Sequence, residues 1–132
     1  MHYLSTLPTF LLYFVAASVL FAAFLTIYLR ITPYAELVLI RQGNVAAAVS
    51  LVGAMVGFSL PVANVIMHSS SLLDMCLWSL IALVVQTIVY FLVSWLLPEF
   101  KRGIEQGNLA HATLLAGASV VAGILNAACM TY

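Results

Sequence analysis

Four apolar stretches, residues 10–29, 45–67, 72–97 and 109–130, restrict the fold of this chain more than any other feature. Three of them hold no Asp, Glu, Lys or Arg, and the third in order holds only Asp74, near its start. At a rise of about 1.5 Å per residue, each is long enough to cross the roughly 30 Å of bilayer hydrocarbon. Lipid offers the backbone no hydrogen-bond partner, so such a run closes its own bonds as a helix. The alternating strand pattern of an outer-membrane barrel is absent. The expected fold is an all-α integral membrane protein, one domain over residues 1–132 with four transmembrane helices. Charged residues make up only 6% of the 132, against about a quarter in soluble domains. That scarcity excludes a soluble enzyme or binding module. Zero formal net charge and no basic cluster exclude nucleic acid, leaving the lipid bilayer as the first partner. Met1-His2-Tyr3 lacks the positive charge of a signal peptide, so the first span is expected to stay as a permanent helix.

The few basic residues orient the spans. Arg30 and Arg41 bound the first interspan loop, and Lys101 and Arg102 lie in the third. The termini and the loop around residues 68–73 hold none. The positive-inside rule then places both basic loops in the cytoplasm and both termini in the periplasm. Tyr28, Tyr34, Trp95 and Phe100 are expected at the cytoplasmic interface, and Tyr3, Trp78 and Tyr132 at the outer one.

At an offset of 64, Gln42-Gly43-Asn44-Val45-Ala46 aligns with Gln106-Gly107-Asn108-Leu109-Ala110, and the match continues through Leu51/Leu115, Gly53/Gly117 and Ala54/Ala118. The reading is a duplicated two-helix unit, repeat one about 10–67 and repeat two about 72–131. Two helices return the chain to its starting side, so the copies share one orientation and are related by an axis along the membrane normal. The first and third spans are bulky. The second and fourth carry Gly53, Gly57, Gly117 and Gly123 at spacings that let helix backbones approach, which places them at the centre and favours a homo-oligomer.

Asn44 and Asn108 follow glycines at helix starts and are expected as N-caps, with a weak anion-attracting site between the two N-termini as the sharper alternative. Asn64, Gln86, His111 and Asn126 are the candidate intramembrane polar residues. Interhelical amide bonds account for them, and a polar lining for an ion or small solute is the competing reading. Pro61 frees the Gly57 carbonyl and should kink the second span. His111 is expected as a hydrogen-bonding or snorkelling residue. Asp74 fits a capping box with Ser71. Cys76 and Cys129 fall near the outer face as small apolar residues, a disulfide being the alternative in an oxidising periplasm. No phosphate loop, nucleophile elbow, carboxylate pair or metal-binding motif is present. The sequence therefore supports no catalytic residue, metal site or cofactor, and no enzyme is expected.

Three segments carry a family resemblance: Ile40-Arg41-Gln42-Gly43-Asn44-Val45-Ala46-Ala47-Ala48, Gly57-Phe58-Ser59-Leu60-Pro61, and Gly123-Ile124-Leu125-Asn126-Ala127-Ala128-Cys129-Met130-Thr131. With them the chain resembles the YjfL-like family of bacterial inner-membrane proteins, domain of unknown function 350, over nearly its whole length. The resemblance implies a duplicated two-helix unit in the inner membrane and association with stress-related cytoplasmic proteins, and it carries no activity or substrate. Two functions are expected from different classes. The first is a structural or partner-recruiting membrane component whose basic loops dock a cytoplasmic protein. The alternative is an oligomeric channel or solute pathway lined by the second and fourth spans.

Overall fold

A computed structural model describes residues 2–68 and 71–130, with side chains from Thr6 onward. The Tyr3 side chain and residues 131 and 132, including the expected end of repeat two and Tyr132, lie outside the described residues. Six helices follow in order: α1 His2–Ile31, α2 Glu36–Arg41, α3 Val45–His68, α4 Leu72–Leu96, α5 Phe100–Glu105 and α6 Leu109–Cys129. The four long ones are apolar and long enough to cross a membrane, as expected from the charge-free runs.

The basic loops are not open loops. Each holds a six-residue helix, α2 or α5, too short to persist alone. The same chemistry closes both. Gly43 and Gly107 take left-handed backbone angles (φ +86° and +81°) that glycine adopts without penalty. Gly43 N donates to Ile40 O at 2.9 Å and Asn44 N to Leu39 O at 2.9 Å. Gly107 N donates to Ile104 O at 3.0 Å and Asn108 N to Gly103 O at 2.8 Å. This is the Schellman pattern, which satisfies carbonyls that a helix end leaves bare. Each Gln-Gly-Asn segment thus ends a short helix with its glycine and starts a long one with its asparagine.

Of the most apolar 18-residue window in each span, 56% is buried in α3, 28% in α4, 22% in α6 and 6% in α1. The centre is therefore α3. The most extensive helix contact is α3 with α6, and α4 covers both. Along the α3–α6 seam the contacts advance in step on both helices: Gly53 against Ala116, Gly57 against Ser119 and Gly123, Asn64 against Ala127. The expectation that the fourth span is as central as the second needs amending, since α6 turns only one face inward. Its other face presents Leu114, Val121, Ile124 and Leu125 outward, where lipid is the natural solvent.

Glycines make the seam. A Cβ at Gly53 would collide with the Ala116 backbone, one at Gly57 with Ser119 O, and one at Gly123 with Gly57 O. Gly57 O is the carbonyl that Pro61, lacking an N–H, leaves without a helical donor. A Gly123 Cα hydrogen points at it in place of a side chain, a weak C–H···O contact. The helix runs unbroken through Pro61. Gly117 takes no part in this seam: it faces outward, and a methyl group added there would meet no atom of the same chain within 4 Å. Ala116 occupies the place facing Gly53 instead.

α1 is the peripheral helix. Its C-terminal half attaches where the Phe24 ring stacks on Phe58 with centroids 4.1 Å apart and Tyr28 meets Tyr90 edge-on at 5.9 Å, and Tyr13, Ala16 and Leu20 pack on a smaller cluster of Val65, Met75 and Met130. The outward face of its N-terminal half, Leu7, Phe10, Leu11 and Phe14 among it, is exposed for lipid.

These contacts separate the glycines by experiment. Gly57→Ala and Gly123→Ala force α3 and α6 apart and should each cost about 1–3 kcal/mol. Within one protomer Gly117→Ala meets open space, and in detergent-dispersed monomer it should be neutral or stabilise by up to about 1 kcal/mol. Denaturant unfolding of the three variants in detergent reads the difference; equal losses at all three would contradict the seam.

Candidate functional site

The polar residues inside the spans are mostly turned to structural use. Gln86 on α4 is fully buried, and its Nε2 donates to Ser119 O on α6 at 3.0 Å. A Cβ at Gly57 would come within 2.7 Å of that nitrogen, so α3, α4 and α6 meet at one amide. Asn64 Nδ2 donates to Ala127 O at 2.8 Å, a second bridge between α3 and α6. Among the described residues, five buried side-chain atoms in the spans keep no hydrogen-bond partner: Tyr28 Oη, Ser79 Oγ, Gln86 Oε1, His111 Nδ1 and Asn126 Nδ2. A polar cleft of about 370 Å³ opens beside Asn64, His68 and Ala127 at the far end of the bundle. Cys76 and Cys129 are exposed and unbridged.

At the other end, Asn44 and Asn108 both cap helices but are not equivalent. Asn108 Oδ1 accepts from Ala110 N at 3.0 Å and His111 N at 3.4 Å. Asn44 Oδ1 accepts from Ala47 N at 2.9 Å, while its Nδ2 donates across to Ile104 O at 2.9 Å and Glu105 O at 3.3 Å. That amide ties the first Gln-Gly-Asn turn to α5. Between the two turns lies an open cleft of about 470 Å³, with Gln42, Gly43, Gln106 and Gly107 on its walls.

The His111 side chain departs from its expected role. Its ring stacks on Phe100 with centroids 5.8 Å apart, and its Nδ1 is buried without a partner against Gly103, where a side chain would overlap it. Tyr28, Tyr34 and Phe100, expected as interface anchors, are buried at 1%, 3% and 3% exposure. They form one aromatic cluster with Tyr90, whose linking centroid distances fall between 5.9 and 6.5 Å. Of the expected inner-interface aromatics, only Trp95 stands out in the surroundings.

The residue that sequence reasoning missed is Glu36, in the first interspan loop. It is 2% exposed and lies against this cluster. Thr32 Oγ1 donates to its Oε1, and its Oε2 has no partner. Burial pushes the carboxyl up to about 7, the Thr32 bond pulling weakly the other way. Burial, with the nearby Tyr90 and Glu36 charges adding to it, pushes the Tyr34 phenol well above its ordinary range. A signal was available: at the offset of 64, Glu36 falls on Phe100, an apolar residue in a position that should be packed. The remaining loop charges, Arg30, Arg41, Lys101 and Arg102 with Glu99 and Glu105, are exposed as expected.

Comparison with known proteins fits this architecture. Residues 1–130 match the sequence profile of the family described as Domain of Unknown Function (DUF350). The chain belongs to the DUF350 family. Among its curated relatives is the UPF0719 inner membrane protein YjfL of Escherichia coli strain K12, 35% identical over 132 residues and aligned along the whole of both chains. Another is the UPF0719 transmembrane protein YshE of Bacillus subtilis strain 168, 35% identical over 104 residues, or 74% of this chain and 75% of that one. No solved structure matches it. This DUF350 member is a small multi-pass inner-membrane protein, and its identity with YjfL marks it as a homologue at a distance.

The buried carboxyl gives this DUF350 chain a defined pH response. In the unfolded chain Glu36 releases its proton near 4.5, and in the folded chain near 7. Between those values the folded state holds a proton that the unfolded state has lost. Stability therefore falls as pH rises through that window and levels off above it, by roughly 3 kcal/mol in all. Thermal unfolding should show the wild type more stable near the acid end, and Glu36→Gln should flatten the slope. A slope unchanged in that variant would contradict the assignment.

Proposed function

We propose that this chain is a structural, partner-recruiting component of the bacterial inner membrane, built by duplicating a two-helix unit and working as a homo-oligomer. In this reading it is not an enzyme and uses no cofactor. The observation that carries it is how the intramembrane polar groups are spent. Gln86 and Asn64 each donate to a backbone carbonyl of α6, and the touching Gly57 and Gly123 leave no lumen between α3 and α6. Polar chemistry then remains available mainly at the end that displays Arg30, Arg41, Lys101 and Arg102. Exposed basic residues there suit an acidic protein surface or anionic headgroups.

Support for the duplication comes from the offset of 64, the two matching Schellman turns and the in-step contacts of α3 with α6. Copies entering the membrane with the same orientation are related by an axis along its normal. The positive-inside rule puts the basic end in the cytoplasm and both termini in the periplasm. Self-association is supported by the outward stripe Ala110, Thr113 and Gly117 on α6, where small residues leave room for another helix. The family resemblance points to a stress-related cytoplasmic protein as the recruited partner.

A solute pathway along α3 and α6 draws on the partnerless Asn126 Nδ2, Gln86 Oε1 and Ser79 Oγ and on the polar cleft beside Asn64. It has less support, because the neighbouring Asn64 amide is already committed to Ala127 O.

Three measurements test the reading. Cross-linked membranes from a strain carrying Arg41→Gln, Lys101→Gln and Arg102→Gln should lose the co-purifying cytoplasmic protein; unchanged recovery counts against recruitment. A C-terminal fusion to a reporter that fluoresces only in the cytoplasm should stay dark, and strong fluorescence would reverse the orientation. Purified protein in liposomes should pass neither ions nor small solutes, and flux abolished by Asn64→Leu or Asn126→Leu would favour the pathway instead.

A further inference from the structure

We propose that Glu36 is a reversible proton-binding site at the basic end of the bundle, served in both charge states by the hydroxyl of Thr32. The starting observation is a carboxyl group 2% exposed with no cation to balance it. Among the described residues the one ion pair is Arg102 with Glu99, and Arg30 and Arg41 point into the surroundings. An unpaired carboxylate in an apolar interior is strongly disfavoured and discharges by taking up a proton. Packing does not demand the group, since position 100, which aligns with it at the offset of 64, is a phenylalanine buried to 3%.

The hydrogen-bond inventory around Glu36 is what makes the site reversible. Thr32 owns one hydroxyl hydrogen but has two acceptors, Leu29 O at 3.2 Å and Glu36 Oε1. When Thr32 donates to Leu29 O, its contact with Glu36 is satisfied by a carboxylic acid O–H donating back to Thr32 Oγ1. When it turns to Glu36, it serves the carboxylate. Glu36 Oε2, Tyr28 Oη and Tyr34 Oη are buried without partners, and the Glu36 charge acts on both tyrosines. Buried polar groups left over in this way mark a site that exchanges a proton or holds water.

The other elements around the site add no competing charge. Tyr28 comes from α1, Thr32 and Tyr34 from the segment after it, and Tyr90 from α4. Within α3 the only ordinarily titratable side chain is His68, at the opposite end. Beyond Phe100 lies His111, stacked on the far side of the ring. The proton comes from water at this end, where Pro33 and Ala35 on either side of Tyr34 are exposed. An O–H bond forms on a Glu36 oxygen on loading and breaks on release, with the proton returning to water. Burial raises the carboxyl to about 7 and holds the Tyr34 phenol well above that, so the carboxyl is the group that exchanges.

Infrared difference spectroscopy of the full chain in lipid nanodiscs, titrated from about pH 5 to about pH 9, tests this directly. A carboxylic acid C=O band should disappear with a midpoint near 7 and shift on labelling glutamate with carbon-13. Glu36→Gln, which keeps size and polarity, should remove the band. Thr32→Val withdraws the donor to the ionised form and should move the midpoint upward by about one pH unit. The isotope shift assigns the group without any substitution, so a variant that fails to fold leaves the test intact. A midpoint in the ordinary carboxylate range, no acid band at all, or a band that survives Glu36→Gln would overturn the proposal. A midpoint that falls when choline is replaced by sodium would also overturn it, by assigning the site to a metal cation.

Discussion

The fold depends on two helix backbones in direct contact. α3 and α6 touch where a methyl group at Gly57 or Gly123 could not be placed, and the other spans are arranged around that seam. In water, burying apolar side chains would drive such a pairing. Between helices already surrounded by hydrocarbon, that force is absent, and close packing with interhelical hydrogen bonds takes its place. The seam has both. Glycine at these positions removes bulk, Pro61 releases the Gly57 carbonyl, and the Gly123 backbone comes up against it. The Gln86 and Asn64 amides then fasten α6 to its neighbours from either side of that contact.

The basic end is organised differently, by turn chemistry and rings. The two glycine–asparagine pairs end α2 and α5 and begin α3 and α6 within a few residues, which holds the charged segments close to the membrane surface. Asn44 fixes one such segment to the other through Ile104 O and Glu105 O. Beneath them the Tyr28, Tyr34, Tyr90 and Phe100 rings enclose Glu36. A chain with so few ionisable groups has placed one of them in its interior, beside the Thr32 hydroxyl. The exposed cations and this buried carboxyl occupy the same end of the bundle.

Much of the architecture was legible in the sequence because lipid leaves few alternatives. A charge-free run of this length has one regular structure open to it, and the four helices follow within a few residues. The caps at Asn44 and Asn108 were legible because a short polar side chain before an apolar run has a local reason to be there. Tertiary facts were not. Gly53 and Gly117 are equivalent in the sequence, yet one packs and the other faces outward, since α6 turns a single face to its neighbours. Tyr28, Tyr34 and Phe100 look like interface anchors until α2 and α5 fold over them. The burial of Glu36 is hidden from the sequence for the same reason: a six-residue helix depends on tertiary support, and linear spacing does not reveal that support.

The central claim is that the α3–α6 seam is dry and that its amides serve packing. Water-edited solid-state NMR of the labelled protein in lipid measures this residue by residue, as the rate at which water magnetisation reaches each site. Gly57, Gln86 and Gly123 should build up as slowly as the buried Ala54, while Gln42 and Gly43 at the exposed turn build up quickly. Fast build-up at Gln86 and Gly123 would mean that water runs along the seam, and the structural reading would give way to a pathway.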